Sequence, residues 1–195
     1  MKLRTSILAL SAILFATLPA VAQNYAIDPA HSAINFSIKH MAISTVRGRF
    51  AIKSGNITFD AKNAAKSSVT AVIDVASVDT GVEKRDGHLK SPDFFDAAQF
   101  PTAIFTSSTV KRAGDGYEVI GTLTLHGVTK PVTLHMDAPS KEQIGMDGKP
   151  HRGFSATTTL HRQDFGLNWN GPLKSGDNVL GDDVPMTFDI EAGQI

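Results

Sequence analysis

Apolar and polar residues alternate in short runs along most of this chain. In residues 33–40, Ile34, Phe36, Ile38 and His40 fall on one face, and the positions between them are polar. A period of two residues is typical of β-strands with one buried face. Runs of the same kind occur at 50–52, 57–59, 69–75, 103–110, 117–125, 132–136, 154–160 and 186–190. The pattern therefore predicts an all-β protein with about eight strands.

Turn-forming residues separate these runs. The Ser-Gly-Asn sequence at 54–56 predicts a hairpin between the runs on either side of it. A second turn is expected at 126–130, and a long loop at 139–150, which is rich in glycine, proline and charge. No repeat or linker divides the chain, so we expect residues 23–195 to form one domain.

Eight antiparallel strands close into a barrel or stack as a sandwich. A barrel of eight strands is wide enough to be filled by side chains or to hold one small ligand. Some inward positions carry small or hydroxylated residues where a tightly filled core needs Leu or Phe: Ala71, Gly121, Ala156 and Thr158. This favours a barrel with a cavity, although small residues also occur at barrel corners.

One segment, residues 79–101, interrupts the strand pattern. Charged residues cluster in its first half, and the bulky rings of Phe94, Phe95 and Phe100 follow. We expect a short helical segment around 83–99 that covers one end of the barrel. The rings either anchor this segment to the barrel or contact an apolar ligand, and the two roles are compatible.

The first residues of the chain have the pattern of an export signal. Lys2 and Arg4 precede an apolar run at 7–18, and Ala-Val-Ala at 20–22 supplies the small residues of a cleavage site. The apolar run is too short to span a membrane. We therefore predict a secretory signal peptide at residues 1–22 and a periplasmic location, with secretion as the alternative.

Composition excludes several classes of function. The chain has 19 basic and 19 acidic residues, and loss of Lys2 and Arg4 leaves a net charge of −2. This near-balance, without a basic stripe, gives no reason to expect a nucleic-acid partner. The chain contains no cysteine, which excludes thiol catalysis and zinc–thiolate sites.

Candidate catalytic groups are sparse. None of the seven histidines has the spacing of a helical metal site, and we expect no metal and no cofactor. His126 and His135 are out of phase with their apolar neighbours and are expected to face solvent. An enzymatic interpretation can be assembled from Arg85, Asp86, His88 and either Asp93 or Asp96, which would supply acid, base and anion-binding groups. However, no nucleophile elbow or phosphate-binding glycine loop occurs. We expect no catalytic residues.

Six segments in order carry distinctive motifs. They are YAIDPAHSAINFSIKHM (25–41), VRGRF (46–50), SVDTGVEKRDGHLKSPDFFDAAQFP (77–101), GTLTLHGVTKPVTL (121–134), RQDFG (162–166) and GDDVPMTFDIEA (181–192). Together they resemble the YceI-like family of secreted bacterial proteins, often called polyisoprenoid-binding or lipid-binding, over nearly all of 25–192. Pro185 departs from the expected strand-forming residue, and we expect the last strand to begin late or to run along an edge there.

The resemblance implies an extended eight-stranded antiparallel barrel, similar to lipocalins, around a long apolar pocket. Members of the family are associated with isoprenoid, quinone-related and fatty-acid-like ligands, and no enzymatic activity is established for them. Dimers are known among them, which leaves a homodimer open for this chain. Arg85, Asp86, His88 and Leu89 match the RD-x-HL signature of the family, which we expect to cap the barrel and to contribute to the pocket.

We expect the ligand chain to contact twelve side chains: Phe36, Ile38, Phe50, Ile73, Phe94, Phe95, Phe105, Leu123, Leu125, Met136, Phe154 and Leu160. Candidates for the head group or the mouth of the pocket are His40, Arg47, Arg49, Arg85 and His88. Periodicity alone does not distinguish residues that line a cavity from residues that fill a core.

The predicted function is an exported binding protein that holds a long isoprenoid, quinone-related or fatty-acid-like lipid inside the barrel, for transport, storage or sequestration. Each buried methylene contributes about 0.8 kcal/mol, so a dozen carbons suffice for useful affinity without covalent chemistry. One alternative is a protein-interaction or stress-related envelope module with a filled barrel. A second is an enzyme that acts on a lipophilic substrate.

Overall fold

The computed structural model describes residues 22–176 and 178–195. The predicted signal peptide lies, except for its last residue, outside the described residues. The described part contains the helix α1 (Glu83–Lys90) and short 3₁₀ turns at Ala64–Lys66 and Arg162–Phe165. Its strands are β1 (Gln23–Ile27), β2 (Ala33–His40), β3 (Ser44–Phe59), β4 (Ser68–Asp79), β5 (Thr102–Ala113), β6 (Gly116–Leu125), β7 (Val128–Met136), β8 (Gln143–Ile144), β9 (Pro150–His161) and β10 (Asp183–Gln194).

Eight of these strands form a closed antiparallel barrel. The order around the ring is β2, β3, β4, β5, β6, β7, β9 and β10, and β10 pairs back with β2. The ladder between β9 and β10 has eleven residue pairs, whereas β7 and β9 share two. Strand β1 lies between β10 and β3 in the part of the barrel that β2 does not reach. Strand β8 pairs with β9. The predicted eight-stranded antiparallel barrel is confirmed, with two short strands added to it.

Strand β3 is continuous over 16 residues, which corrects the hairpin predicted at 54–56. Phe50 and Ile52 are buried before that point, and Ile57 and Phe59 are buried after it. The buried positions change from even to odd because the β3–β4 register shifts directly after Ile52. A β-bulge places one extra residue in a strand, so the interrupted alternation here marks a bulge and not a turn.

The hairpin between β6 and β7 is tighter than the predicted turn at 126–130. Pairing continues to Leu125↔Val128, and only His126 and Gly127 remain in the loop, with φ values of 51° and 73°. Two consecutive positive φ values are typical of the type I′ turn that matches strand twist. His126 is partly buried, with its ring 4.9 Å from that of Phe100, so the expectation that it faces solvent is wrong. His135 is exposed, as expected.

The barrel closes across Pro185. Opposite this residue, β9 supplies Thr159 within the long β9–β10 ladder. Pairing of β10 with β2 begins one residue later, at Met186↔Phe36. A proline lacks the backbone donor that a two-sided ladder needs, and its place at the start of the strand avoids that loss.

One end of the barrel is filled by aromatic rings. Phe59 contacts Tyr117 and Phe154 edge-on, with centroids 5.6 and 6.0 Å apart, and Tyr25 contacts Phe154 at 5.9 Å. The Tyr25 hydroxyl accepts a hydrogen bond from Arg152 Nε at 3.0 Å. Burial raises the pKa of this hydroxyl. These contacts close the end at which β1 lies.

The other end is covered by α1 and the residues that follow it, which confirms the expected short helix around 83–99. No residue of the helix is fully buried, so few apolar contacts hold it against the barrel. Leu89 and Phe95 pack against the core, and the Phe95 ring meets Phe50 edge-on at 5.4 Å. Within the described ranges, no helix has the length and apolar character needed to cross a membrane.

Candidate functional site

A cavity of about 450 Å³ lies inside the barrel at the end covered by α1. Its wall is mainly apolar and is formed by side chains from β2 to β7, from β9 and β10, and from the segments that follow β4 and β9. This volume falls within the range of about 300–1,000 Å³ that is usual for sites of small organic ligands. The barrel is therefore not a filled core.

A second, smaller cavity of about 80 Å³ lies deeper, toward the aromatic end. Five side chains line both cavities and form the wall between them: Ile34, Ile73, Phe105, Leu134 and Phe188. Together the two cavities follow the barrel interior from the α1 end to the aromatic cluster.

Ten of the twelve side chains that were predicted to contact the ligand chain line the larger cavity. They are Phe36, Ile38, Phe50, Ile73, Phe94, Phe95, Phe105, Leu123, Leu125 and Leu160. Met136 and Phe154 line the smaller cavity instead, because they lie toward the aromatic end of β7 and β9. For all twelve side chains, contact with a ligand stays a prediction.

The five polar candidates divide into two groups. His40, Arg85 and His88 line the larger cavity. Arg47 and Arg49 lie outside it and are exposed, because Phe50 points inward and residues one or three positions away point outward. Arg49 donates to Asp79 across the outer face at 3.1 Å. This corrects their expected position at the mouth.

The Arg85–Asp86 pair holds the cover in place. Arg85 Nε donates to the Thr80 hydroxyl at 2.7 Å, and its Nη2 donates to the Thr80 carbonyl at 2.9 Å. Asp86 accepts hydrogen bonds from the Thr80 amide and hydroxyl. Each charged residue thus fixes the junction between β4 and α1, and Arg85 uses two of its five N–H donors there.

The cavity meets solvent beside α1. Among the described residues that line it, three are exposed: Ser44, His88 and Trp169. His88 Nε2 lies 2.9 Å from a carboxylate oxygen of Asp93. The Trp169 ring packs on that of Phe94, with centroids 5.1 Å apart. These residues form a polar and aromatic rim around an apolar interior, which we call the mouth.

Sequence reasoning missed several parts of the cavity wall. Strand β10 contributes Val184, Met186 and Phe188, whose alternation was visible in the sequence. The segment between β9 and β10 contributes six residues. One of them is Arg162, which lines the cavity although it is only 5% exposed. Its position within the RQDFG motif was the only sequence signal for it.

In the part of the chain that the structure describes, two groups of metal-ligating side chains lie outside this cavity. Asp28, His31 and Glu191 form one group, and the other is His161, Asp182 and Asp183, with ligand atoms within 4.8 Å of one another. In both groups the histidine Nδ1 already lies within hydrogen-bond distance of a carboxylate oxygen. None of these six residues lines the cavity.

The sequence of this chain matches a known protein family. The model of the YceI-like domain matches residues 25–192. The chain belongs to the YceI-like domain family. A UPF0312 protein of Vibrio vulnificus (strain YJ016) is 41% identical over 170 residues, which cover 85% of this chain and 89% of that protein.

Solved structures share the YceI-like fold. The crystal structure of BcnA from Burkholderia cenocepacia superimposes with a TM-score of 0.72 and 27% identity, covering 85% of this chain and 98% of BcnA. A polyisoprenoid binding domain from Saccharophagus degradans, implicated in plant cell wall breakdown, gives a TM-score of 0.61 at 21% identity. That alignment covers 88% of this chain and 98% of the domain, and it shows the fold alone. All residues that line the larger cavity fall within the matched YceI-like region.

Proposed function

We propose that this protein is exported and holds a long apolar ligand with a polar head inside its barrel, for transport, storage or sequestration. The observation that carries the proposal is the apolar cavity of about 450 Å³ that reaches solvent at one polar end. An isoprenoid, quinone-related or fatty-acid-like chain has the shape for this space.

The energetics support noncovalent binding. Each methylene moved from water into the cavity contributes about 0.8 kcal/mol, so a ligand chain of about a dozen carbons offsets the cost of association. The interior needs no catalytic group for this role. A structural neighbour is named as a polyisoprenoid binding domain, which agrees in ligand class.

Intact-mass spectrometry of the protein from its native host, followed by organic extraction, tests the proposal. We expect a stoichiometric adduct that extracts as one prenyl or acyl species. A bare mass that stays unchanged after incubation with a panel of prenyl and acyl lipids would overturn it and favour a protein-interaction module. The same spectrum tests export, since cleavage after Ala22 leaves a chain that begins at Gln23.

A further inference from the structure

Arg162 is a buried cation in the wall of an apolar cavity. The side chain is 5% exposed, and it follows β9 at the end where the cavity reaches the mouth. Its Nη2 is shielded from solvent and has no hydrogen-bond partner in residues 22–176 and 178–195. Buried polar side-chain atoms in folded proteins nearly always have a partner, so this nitrogen requires an explanation.

The remaining donors of Arg162 are used by neutral groups. Nε donates to the carbonyl of Gly181 at 2.9 Å, and Nη1 donates to the carbonyls of Leu167 and Trp169. These bonds fix the guanidinium plane and leave one edge unpaired. Arg162 also borders the larger cavity, so a molecule held in that space can supply the partner for Nη2.

The charge of Arg162 is also incompletely compensated. No carboxylate of the described residues forms an ion pair with it. Burial lowers the pKa of the guanidinium, and the charge of Asp182 opposes that effect from beyond hydrogen-bond distance. Removal of a charged group from water is costly unless an opposite charge or a full set of hydrogen bonds compensates it.

Arg85, the other arginine in the cavity wall, is in a different state. It is only partly buried, and Thr80 accepts from both its Nε and its Nη2. These bonds use two of its five N–H donors, and water can reach the others because the side chain is partly exposed. The unused donor of Arg162 is shielded from water, and charge-assisted hydrogen bonds are the stronger class.

We propose that Arg162 binds the anionic head group of the apolar ligand, a carboxylate or a phosphate, through its free Nη2. This inference rests on the proposed function and adds the head-group chemistry to it. The ligand head then lies beside Trp169, and its chain runs along the barrel toward the wall formed by Ile34 and Phe105.

Matched lipids test the inference on the unaltered protein. Oleate, oleyl phosphate and oleyl alcohol share one hydrocarbon chain and differ in the head, and their dissociation constants are measured by isothermal titration calorimetry on delipidated protein. We expect at least one anionic lipid to bind about tenfold more tightly than the alcohol, or more, because a charge-assisted bond replaces a neutral one. The tighter of the two anions identifies the head group. Equal binding of all three lipids overturns the assignment of Arg162 and leaves the carrier function intact, whereas no binding of any of them counts against the carrier function itself.

Single substitutions locate the preference. Arg162→Gln should lose most of the anionic preference and keep the affinity for the alcohol, whereas Arg47→Gln, at an exposed position outside the cavity, should keep both. Arg162→Lys should restore part of the preference. Loss of the preference in Arg85→Gln, with none in Arg162→Gln, overturns the assignment.

A measurement on the unaltered chain covers the case in which Arg162→Gln does not fold. In protein labelled with ¹⁵N-arginine, oleate should shift the side-chain resonance of Arg162, and oleyl alcohol should leave it in place. A shift confined to Arg85 would contradict the proposal.

Discussion

The imidazole of His88 meets the indole of Trp169 edge to face, with 5.3 Å between the ring centroids and an angle of 89° between the planes. His88 belongs to α1, and Trp169 belongs to the loop between β9 and β10. The contact therefore joins the two segments that cover the mouth. The Phe94–Trp169 contact joins the same two segments.

Replacement of His88 by alanine should speed ligand exchange. An edge-on aromatic pair contributes about 0.5–1.5 kcal/mol, so the dissociation rate is expected to rise about two- to tenfold. Stopped-flow displacement of a fluorescent fatty acid measures this rate. His135→Ala, an exposed histidine on the outside of β7, is the matched control. A dissociation rate equal to that of the control would show that the His88–Trp169 contact does not limit ligand exchange.

A negative charge inside the cavity should abolish ligand binding. Leu123 lines the larger cavity, and Leu123→Glu places a carboxylate in an apolar wall without a partner. We expect this variant to be purified without lipid. Thr122→Glu puts the same charge on the exposed face of β6 and should retain the lipid. A folded Leu123→Glu protein with a full complement of lipid would show that the chain is held elsewhere.

Truncation of Phe154 should reduce stability and spare ligand binding. The side chain is 5% exposed and contacts Tyr25 and Phe59 edge-on. Phe154→Ala is expected to lower the free energy of unfolding by about 3–5 kcal/mol, as for other buried aromatic residues. Urea denaturation measures the loss, with the exposed Thr157→Ala as control. Ligand affinity should change little, because Phe154 lines only the smaller cavity.

Two glycines should respond to alanine in opposite directions. Gly127 has a φ of 73°, and a Cβ there would lie 2.7 Å from Phe100 Cε1, so Gly127→Ala should cost about 1–3 kcal/mol. Gly87 lies in α1 with no atom within 4 Å of a Cβ. Gly87→Ala should therefore stabilise the protein by about 0.5–1 kcal/mol. Thermal denaturation should show a lower melting temperature for Gly127→Ala and a higher one for Gly87→Ala. An equal decrease in both variants would contradict the backbone geometry described for the two glycines.

His31 should titrate above the ordinary pKa of histidine. Its Nδ1 lies 2.8 Å from Asp28 Oδ2, and this hydrogen bond raises the pKa of His31, with the charges of Asp28 and Glu191 adding to the effect. A raised folded-state pKa stabilises the fold fully below the unfolded-state pKa. That contribution disappears as the pH rises through the higher folded-state value. NMR titration of the ring should show the shift, and Asp28→Asn should remove most of it; an equal pKa in both proteins would exclude the hydrogen bond as its cause.

The strands of the barrel were predictable because their signal is local. Alternation along β2 placed Phe36 and Ile38 on the inner face, and both lie in the cavity wall. The same rule contained the information that Arg47 and Arg49 point outward, since they are out of phase with Phe50. Their placement at the mouth was an error of interpretation and not a lack of signal.

Other features depend on contacts between distant residues. The bulge after Ile52 is set by pairing with β4, and the sequence of β3 alone resembles a hairpin. The burial of Arg162 was even less predictable from the sequence. Charged side chains are rarely buried, so an arginine is expected to be exposed. Its burial comes from the carbonyls of Leu167, Trp169 and Gly181, which the loop after β9 brings to it.

The unequal ladders around the barrel have a mechanical consequence. A bulky ligand inside the barrel would push the strands apart, and the hydrogen-bonded ladders between neighbouring strands oppose this. The β9–β10 ladder resists it with eleven residue pairs, and the β7–β9 ladder resists it with two. We therefore expect β7 and β9 to separate first. The barrel would then widen at this seam, and the distances between the other neighbouring strands would stay the same.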